Sequence, residues 1–265
     1  MTLHPKKDSP GSDLLMKRII PYLRRWPRAV LLFSGGLDSS LLLALGREAL
    51  GEGLTALTLI GPQTAPGEVG AAWHLARQLG VRHLLREFDP FQLADFRGNT
   101  RQRCYVCKKS IIGHAREVAA ELGAGAVWDG TNMDDLGDYR PGLKAAREAG
   151  VESPLITAGL GKRAIRDLSR VLGLPDDKPP QSCLATRFPY NTALTREALA
   201  LVGQAEAWLK AKGFSHVRLR VRGPEARLEL RPEEWPLFFA KGLRGPFLSF
   251  LISLGFEGLD LALPG

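Results

Sequence analysis

The sequence of 265 residues is poor in cysteine and has no long apolar run, and both shortages limit what the protein can be. Its three cysteines, Cys104, Cys107 and Cys183, are an odd number, which does not fit a framework of disulfide bonds. No uninterrupted apolar stretch reaches about 18 residues, so no transmembrane helix is predicted. The basic N-terminus is not followed by the apolar segment of a secretory signal. We therefore expect a cytoplasmic protein that does not associate with membranes.

The sequence also lacks a Walker A motif, because no Gly-Lys-Ser or Gly-Lys-Thr stands at the required spacing. A different glycine-containing loop is present. Four apolar residues at 30–33 predict a buried parallel strand, and residues 41–45 predict a helix, so residues 34–39 form the turn between them. This turn, Ser-Gly-Gly-Leu-Asp-Ser, resembles the pyrophosphate loop SGGxDS of the ATP pyrophosphatase superfamily.

The residue types in this turn suit phosphate binding. Gly35 and Gly36 allow close approach of the backbone and positive φ angles, and the N–H groups that open the helix point into the loop. Three serines, Ser34, Ser39 and Ser40, add hydroxyl donors. Asp38 could cap the helix or help to hold a Mg²⁺ ion. The loop therefore predicts ATP binding, although an ordinary strand-to-helix turn with a serine cap contains similar residues.

The N-terminal two thirds of the chain alternate strands with helices. Strands are predicted at residues 30–33, 54–60, 81–88, 125–128 and 153–156, and helices at 12–25, 41–50, 67–79, 105–123, 143–149 and 162–172. This order predicts an α/β fold with a doubly wound parallel sheet, in which ligands bind beyond the carboxyl ends of the strands. The polar, glycine-rich run at 129–142 follows one such end, so we expect an unpacked substrate loop there.

The pattern changes in the C-terminal part. Three strands, at about 217–222, 226–230 and 257–263, alternate with helices and predict a compact α+β module. We therefore expect an ATP pyrophosphatase domain at residues 1–185 and a small α+β domain at 186–265, which serves substrate binding or oligomerisation.

The overall charge points to anionic partners. A net charge of +8 and a pI near 9.6 suit nucleic acid, nucleotides or other phosphorylated small molecules. The charge does not choose among these, and a solvated basic face would give the same balance.

The cysteine pattern has several possible meanings. Cys104 and Cys107 form a C-x-x-C pair, which could be a redox dithiol, half of a zinc site or part of an iron–sulfur site. A thioredoxin-type dithiol expects its own small fold, and zinc would need further ligands such as His114. Three cysteines suit a [4Fe-4S] cluster whose fourth iron is left open for a substrate sulfur. We favour the cluster, with Cys183 as its third ligand, and note that Arg187 could lower the pKa of a reactive Cys183.

Several segments in a fixed order resemble the LarE family of ATP-dependent sulfur transferases. They are SGGLDSS, CYVCK, DGTNMDD, DYRPGLKAAREAG, ESPL and SCLATRFPY, and the likeness runs from about residue 30 to residue 230. The resemblance implies the fold of adenine nucleotide alpha hydrolases and a role in assembling the nickel-pincer nucleotide cofactor of lactate racemase. In that pathway ATP adenylates a carboxylate of a pyridinium biscarboxylic acid mononucleotide, and a sulfur nucleophile displaces AMP to give a thiocarboxylate. Family members with three cysteines hold a [4Fe-4S] cluster, and members with one give up the sulfur of that cysteine.

The resemblance also implies roles for individual residues. Cys104, Cys107 and Cys183 are expected to be cluster ligands and to deliver sulfur. The arginines of the segment Val-Arg-Leu-Arg-Val-Arg share one strand face, and Arg218 and Arg220 are expected to bind the substrate phosphate. Further residues are expected in or near the site: Glu206 and Glu229 beside the substrate, and Gly130, Arg140 and Arg187 beside the nucleotide. Asn191, where relatives often have glycine, is a minor departure.

Three other functions remain open at this point. A tRNA thiolase of the same superfamily would suit the basic pI, but the chain shows no added RNA-binding domain. An ammonia-dependent amidotransferase such as NAD synthetase shares the loop but leaves the three cysteines without a function. A non-enzymatic nucleotide-binding module is the remaining alternative. We expect an enzyme that is a homo-oligomer and takes a small mononucleotide, with nucleic acid as a less favoured partner.

Overall fold

A computed structural model describes residues 10–137, 141–176 and 182–263. Within these residues the strands are β1 (Ala29–Leu32), β2 (Leu54–Ile60), β3 (Arg82–Glu87), β4 (Ala126–Trp128), β5 (Arg218–Arg222), β6 (Glu225–Glu229) and β7 (Gly258–Leu261). The helices in the same part of the chain are α1 (Pro10–Leu23), α2 (Leu37–Leu50), α3 (Glu68–Gln78), α4 (Ala94–Arg97), α5 (Arg103–Glu121), α6 (Pro141–Glu148), α7 (Pro154–Thr157), α8 (Lys162–Val171), α9 (Arg196–Lys210), α10 (Trp235–Ala240) and α11 (Arg244–Ser253). None of the described helices is both long enough and apolar enough to cross a membrane.

The chain divides into two compact units. The first contains the described residues up to Gly61, the segment Glu68–Asp89 and the described residues between Gln102 and Pro180. The second contains Pro62–Gly67, Pro90–Arg101 and the described residues from Ser182 onwards. Two short segments from the first half of the sequence thus belong to the second unit.

The first unit is built on a parallel sheet with the strand order β3-β2-β1-β4. Alternate residues of β1 pack on opposite faces: Leu31 joins the core formed with α1, α2 and α8, and Val30 joins Ala115 and Val118 of α5. Because helices cover both faces, the predicted doubly wound α/β fold is confirmed. The strand order reverses between β1 and β4, and ligands of such sheets bind at that reversal.

The predicted fifth strand at 153–156 is wrong. Pro154 instead begins the short helix α7, and the chain just before it pairs with the sheet through an isolated bridge between Glu152 and Trp128. Proline has no backbone N–H for a strand ladder, and its fixed φ suits the first position of a helix.

The prediction of an unpacked loop at 129–142 is also wrong. Asn132 is fully buried, and Asp135, in the 3₁₀ turn at Met133–Gly137 that follows, is 5% exposed. Asp135 Oδ2 accepts hydrogen bonds from the backbone N and the side-chain Nδ2 of Asn132, at 3.1 and 2.9 Å. Local hydrogen bonds therefore allow a polar sequence to pack. Asp138, Tyr139 and Arg140 lie outside the described residues.

The second unit is the predicted smaller α+β module. Its sheet has the order β5-β6-β7, with β5 and β6 antiparallel and β6 and β7 parallel. Thr195 caps α9 by accepting a hydrogen bond from the Ala198 backbone N at 3.0 Å. Buried Leu219 of β5 and Leu228 of β6 join a core that includes α9, α10 and α11. The opposite face of β5 and β6 carries the charged residues.

Candidate functional site

The loop after β1 has the backbone geometry of an anion site. Gly35 has φ +72°, and a Cβ atom at this position would lie 2.9 Å from Ala72 Cβ, so the position requires glycine. Gly36 is the N-cap of α2 and provides no side chain to cap the helix. The first backbone N–H groups of a helix lack intrahelical partners and favour anions. The geometry therefore suits a phosphate group in front of α2.

The loop serines differ in their positions. Ser34 is exposed, and its Oγ lies 3.1 Å from Ser39 Oγ and accepts a hydrogen bond from the Gly36 backbone N at 3.3 Å. Ser39 Oγ donates to the Gly36 carbonyl at 3.1 Å. Ser40 is 2% exposed, and its hydroxyl has no hydrogen-bond partner among the described residues. Ser34 thus lies at the loop surface, whereas Ser39 is only 5% exposed, and ligand contacts by all three serines stay predictions.

Asp38 is paired with a lysine that sequence reasoning missed. Lys162, the first residue of α8, donates a hydrogen bond from Nζ to Asp38 Oδ2, and its backbone N donates to Asp134. A positive charge in the first turn of a helix is unfavourable because of the helix dipole. A lysine at that position is therefore a signal in the sequence that could have indicated a functional role for Lys162. Lys162 places at the loop the positive charge that the missing Walker lysine would have provided.

Asp38 can also accept a metal ion. Its second oxygen, Oδ1, is buried and has no hydrogen-bond partner among the described residues. Mg²⁺ at nucleotide sites is commonly bound through one or two carboxylates together with phosphates and water. The orphaned oxygen therefore fits a magnesium ligand.

The end of β4 lies directly against this loop. A Cβ atom on Gly130 would lie 2.9 Å from the Ser39 backbone N, so only glycine fits between β4 and the N-terminus of α2. The structure thus brings the predicted Gly130 together with the loop, at the point where the strand order reverses.

Asp129 connects the end of β4 to the helix that carries two cysteines. It is 2% exposed, and its Oδ2 lies 2.9 Å from Lys108 Nζ of α5. Burial raises the pKa of Asp129, but Lys108 and hydrogen bonds from Lys108, Thr131 and Ser153 outweigh burial and hold this pKa below its usual value. Asp129 is therefore a buried anion that fixes Lys108 one turn beyond Cys104.

Cys104 and Cys107 lie three residues apart on α5, which places them on one face of the helix. Cys104 is exposed and Cys107 is partly exposed, and neither forms a disulfide bond; iron ligation by these two residues stays a prediction. Cys183 belongs to the second unit. In the described part of the chain, no group of three or more histidine, cysteine or acidic side chains is placed to hold a metal ion.

The zinc alternative with His114 would have to span two turns of α5. His114 lies seven residues beyond Cys107 on α5, which corresponds to about 10 Å along the helix axis. Zinc ligands lie about 2.0–2.3 Å from the metal, so both side chains would have to reach along the helix, and the zinc alternative stays a prediction.

In the second unit, Arg187 and Glu206 bind each other. Arg187 Nε lies 2.6 Å from Glu206 Oε1 and its second nitrogen lies 3.1 Å from Oε2, with both residues at most 5% exposed. Arg187 also donates to Ser182 Oγ at 2.7 Å and Thr186 Oγ1 at 2.8 Å, and Thr186 Oγ1 donates to the Cys183 carbonyl at 2.7 Å. The ion pair thus holds the segment around Cys183. The predicted ligand contacts of Arg187 and Glu206 stay predictions.

The predicted arginine face of β5 is present beside this segment. Arg220 donates from Nε to Glu229 Oε2 at 3.0 Å, and from Nη1 to the Thr186 carbonyl at 2.8 Å. Burial lowers the pKa of Arg218, and the nearby charges of Arg187 and Arg220 lower it further. A site that crowds cationic guanidinium groups in this way favours an anionic ligand.

A curated relative decides which family these features belong to. The pyridinium-3,5-bisthiocarboxylic acid mononucleotide synthase of Lactiplantibacillus plantarum is 36% identical over 256 residues, covering 93% of this chain and 90% of that protein. The chain belongs to the LarE family. Another similar protein, an uncharacterized protein of Synechocystis, is 38% identical and covers 90% of this LarE-family chain and 89% of its own length.

A more distant relative supports the fold of this LarE-family chain. It is one of the subunits of the glutamine-hydrolysing GMP synthase of Methanosphaerula palustris, and it is 29% identical, covering 68% of the chain and 63% of that protein. No protein-family model matches the chain. The pyrophosphate-loop fold predicted from SGGLDSS thus agrees with the parallel sheet and with this relative.

Proposed function

We propose that this LarE-family protein uses ATP to convert a carboxylate of pyridinium-3,5-biscarboxylic acid mononucleotide into a thiocarboxylate, for the nickel-pincer nucleotide cofactor of lactate racemase. The observation that carries the proposal is the 36% identity to the bisthiocarboxylic acid mononucleotide synthase over 93% of the chain. An alignment of that extent leaves only the ends of the chain outside. Both the pyrophosphate loop of the first unit and the arginine strand of the second therefore fall within it.

Activation of the carboxylate is assigned to the first unit. A carboxylate is a poor electrophile, so one of its oxygens attacks the α-phosphorus of ATP, and the bond to pyrophosphate breaks. The N–H groups of α2 and the hydroxyls of Ser34 and Ser39 would hold the departing pyrophosphate. Lys162 would exchange Asp38 for a phosphate oxygen and neutralise the charge that develops there. A Mg²⁺ ion on Asp38 would supply additional charge to the phosphates.

Sulfur transfer is assigned to the three cysteines. A [4Fe-4S] cluster held by Cys104, Cys107 and Cys183 would leave one iron open to carry the sulfide that replaces AMP. The chain's own contribution is to fix these thiols, and Lys108 and Arg187 are held next to them by Asp129 and Glu206. Recognition of the acceptor is assigned to Arg218 and Arg220, whose guanidinium groups would bind the substrate phosphate.

The test is an anaerobic assay of pyrophosphate and AMP release from ATP, with either the dicarboxylate mononucleotide or tRNA as acceptor. The proposal expects release that depends on the mononucleotide and a product heavier by the replacement of oxygen with sulfur. Release that only tRNA stimulates would refute the proposal and favour a tRNA thiolase.

A further inference from the structure

The cationic face of β5 extends beyond the two arginines assigned to the phosphate. Arg222 lies on the same face as Arg218 and Arg220, because alternate residues of a strand point the same way. Arg227 of β6 lies directly opposite Arg220 in the antiparallel register. Like charges opposite each other destabilise a strand pair, so this arrangement points to an anionic ligand rather than to a stabilising role.

A cavity of about 290 Å³ lies over these side chains, within the second unit. Arg220, Arg222, Arg227 and Glu229 line it, together with Phe188 and Pro189. Two of the arginines already have acidic partners: Arg220 Nε lies 3.0 Å from Glu229, and Arg227 Nε lies 3.5 Å from Asp260. Arg187 also lines the cavity and is paired with Glu206. Of the four lining guanidinium groups, that of Arg222 has no acidic partner among the described residues, so the cavity keeps an excess positive charge.

Arg222 differs from its neighbours on this face. It is exposed, and its side chain makes no hydrogen bond or ion pair with any described residue, although Glu225 lies opposite it in the register. A guanidinium group without a partner at the edge of a cavity can bind a planar anion through two parallel hydrogen bonds. Arg222 therefore has the geometry and the free donors for one carboxylate.

We propose that Arg222, supported by Arg227, binds the second carboxylate of the substrate, the one that is not being activated. The inference rests on the proposed function, in which Arg218 and Arg220 take the phosphate and the other carboxylate reacts with ATP. The remaining carboxylate stays anionic and needs a partner that is not occupied by the phosphate. Arg222 lies about 7 Å from Arg220 along β5. This distance would keep the bound carboxylate apart from the bound phosphate.

The same subsite would serve two rounds of reaction. A bisthiocarboxylic product requires both carboxylates to be converted in turn. In the second round the group at Arg222 is a thiocarboxylate, which is again a planar anion with two acceptor atoms. An exposed arginine can bind either group. The mononucleotide can therefore leave after the first round and bind again in the opposite orientation, with its thiocarboxylate at Arg222.

The experiment compares two ligands that share phosphate, ribose and pyridinium ring: the dicarboxylate mononucleotide and nicotinamide mononucleotide, which has no carboxylate. Calorimetric titration of Arg222→Gln should show about tenfold weaker binding of the dicarboxylate, the loss expected for one charge-assisted contact. Binding of nicotinamide mononucleotide should change less than about twofold. Arg222→Lys should recover part of the loss, and Arg244→Gln, with the same charge change at an exposed arginine of α11, should alter neither affinity.

Other outcomes would overturn the inference. Equal weakening of both ligands would place the phosphate at Arg222, and unchanged binding of both would make Arg222 a solvated surface residue. Wild-type pyrophosphate release with the dicarboxylate mononucleotide is measured in parallel. If the wild type releases none, the proposed function itself fails, whereas normal release with unaltered binding by Arg222→Gln rejects only this subsite.

Discussion

Arg187 and Glu206 form a two-pronged ion pair, at 2.6 and 3.1 Å, with both side chains almost completely buried. Glu206 Oε1 also accepts a hydrogen bond from the Leu219 backbone N at 2.9 Å. The pair thus connects the segment around Cys183 to both α9 and β5.

Glu206→Gln would leave the charge of Arg187 buried without a counter-charge. Breaking a buried pair in this way costs about 3–5 kcal/mol, and we expect a loss of that size in the free energy of unfolding from urea denaturation. The control is Glu121→Gln. Glu121 pairs with Arg86, and both side chains are more than half exposed, so this substitution should lower the free energy of unfolding by less than about 1 kcal/mol. Similar small losses for both variants would contradict a stabilising role for the buried pair.

Lys162→Met should impair the adenylation step. Lys162 is the cation that the structure places on Asp38 beside the pyrophosphate loop. Removing one preorganised donor to a developing charge lowers kcat by about 10²–10³-fold, and a quenched-flow assay of pyrophosphate release would measure this loss. Arg163→Gln changes an exposed cation at the next position of α8 and should retain wild-type rates. Equal rates for Lys162→Met and the wild type would remove Lys162 from the mechanism.

Gly130→Ala should weaken ATP binding, because the added Cβ atom would lie 2.9 Å from the Ser39 backbone N and displace the first turn of α2. We expect a dissociation constant for ATP about tenfold higher, since the backbone N–H groups proposed to hold the phosphates lie in that turn. Gly113→Ala, in α5, adds the same atom where nothing lies within 4 Å and should leave ATP binding intact. Isothermal titration with a non-hydrolysable ATP analogue measures the affinity of both variants. Unaltered binding by Gly130→Ala would show that the end of β4 is not part of the nucleotide site.

Mild acid should destabilise the protein through His83. Burial lowers the pKa of His83 below 6.5, and its Nε2 lies 2.8 Å from Thr58 Oγ1, which donates to the carbonyl of Phe33 just before the loop. The unfolded chain therefore binds a proton more readily, so the contribution of His83 is complete above pH 6.5 and is lost as the pH falls below it. His216, whose pKa is also lowered, first by burial, should act in the same direction. His83→Gln should flatten the fall in unfolding free energy between about pH 7 and pH 5, and an unchanged slope would exclude His83.

The sequence predicts a strand or helix well where the residue types of the segment and the turn residues that end it indicate the same element. The strand at Leu54–Ile60 was predicted at its observed bounds, because a β-branched and aliphatic run ends at Gly61-Pro62. Long-range pairing was less accessible: no local pattern shows that Lys162 reaches Asp38 across 124 positions, or that Arg187 is neutralised by Glu206. The buried Asn132–Asp135 turn was missed for a related reason, since polarity alone does not reveal which hydrogen bonds will be satisfied internally.

The three cysteines give the last prediction, which concerns iron. If Cys104, Cys107 and Cys183 ligate one cluster, protein purified without oxygen should be brown and contain about four irons per chain. Replacing any one of the three by serine should lower the iron content, because each contributes one of only three protein ligands. Ser110→Ala, one turn beyond Cys107 on the same helix, alters a small polar side chain without removing a ligand and should keep the wild-type iron content. Wild-type protein that stays colourless and free of iron after anaerobic reconstitution would reject the cluster, and unequal effects would identify which cysteine binds outside it.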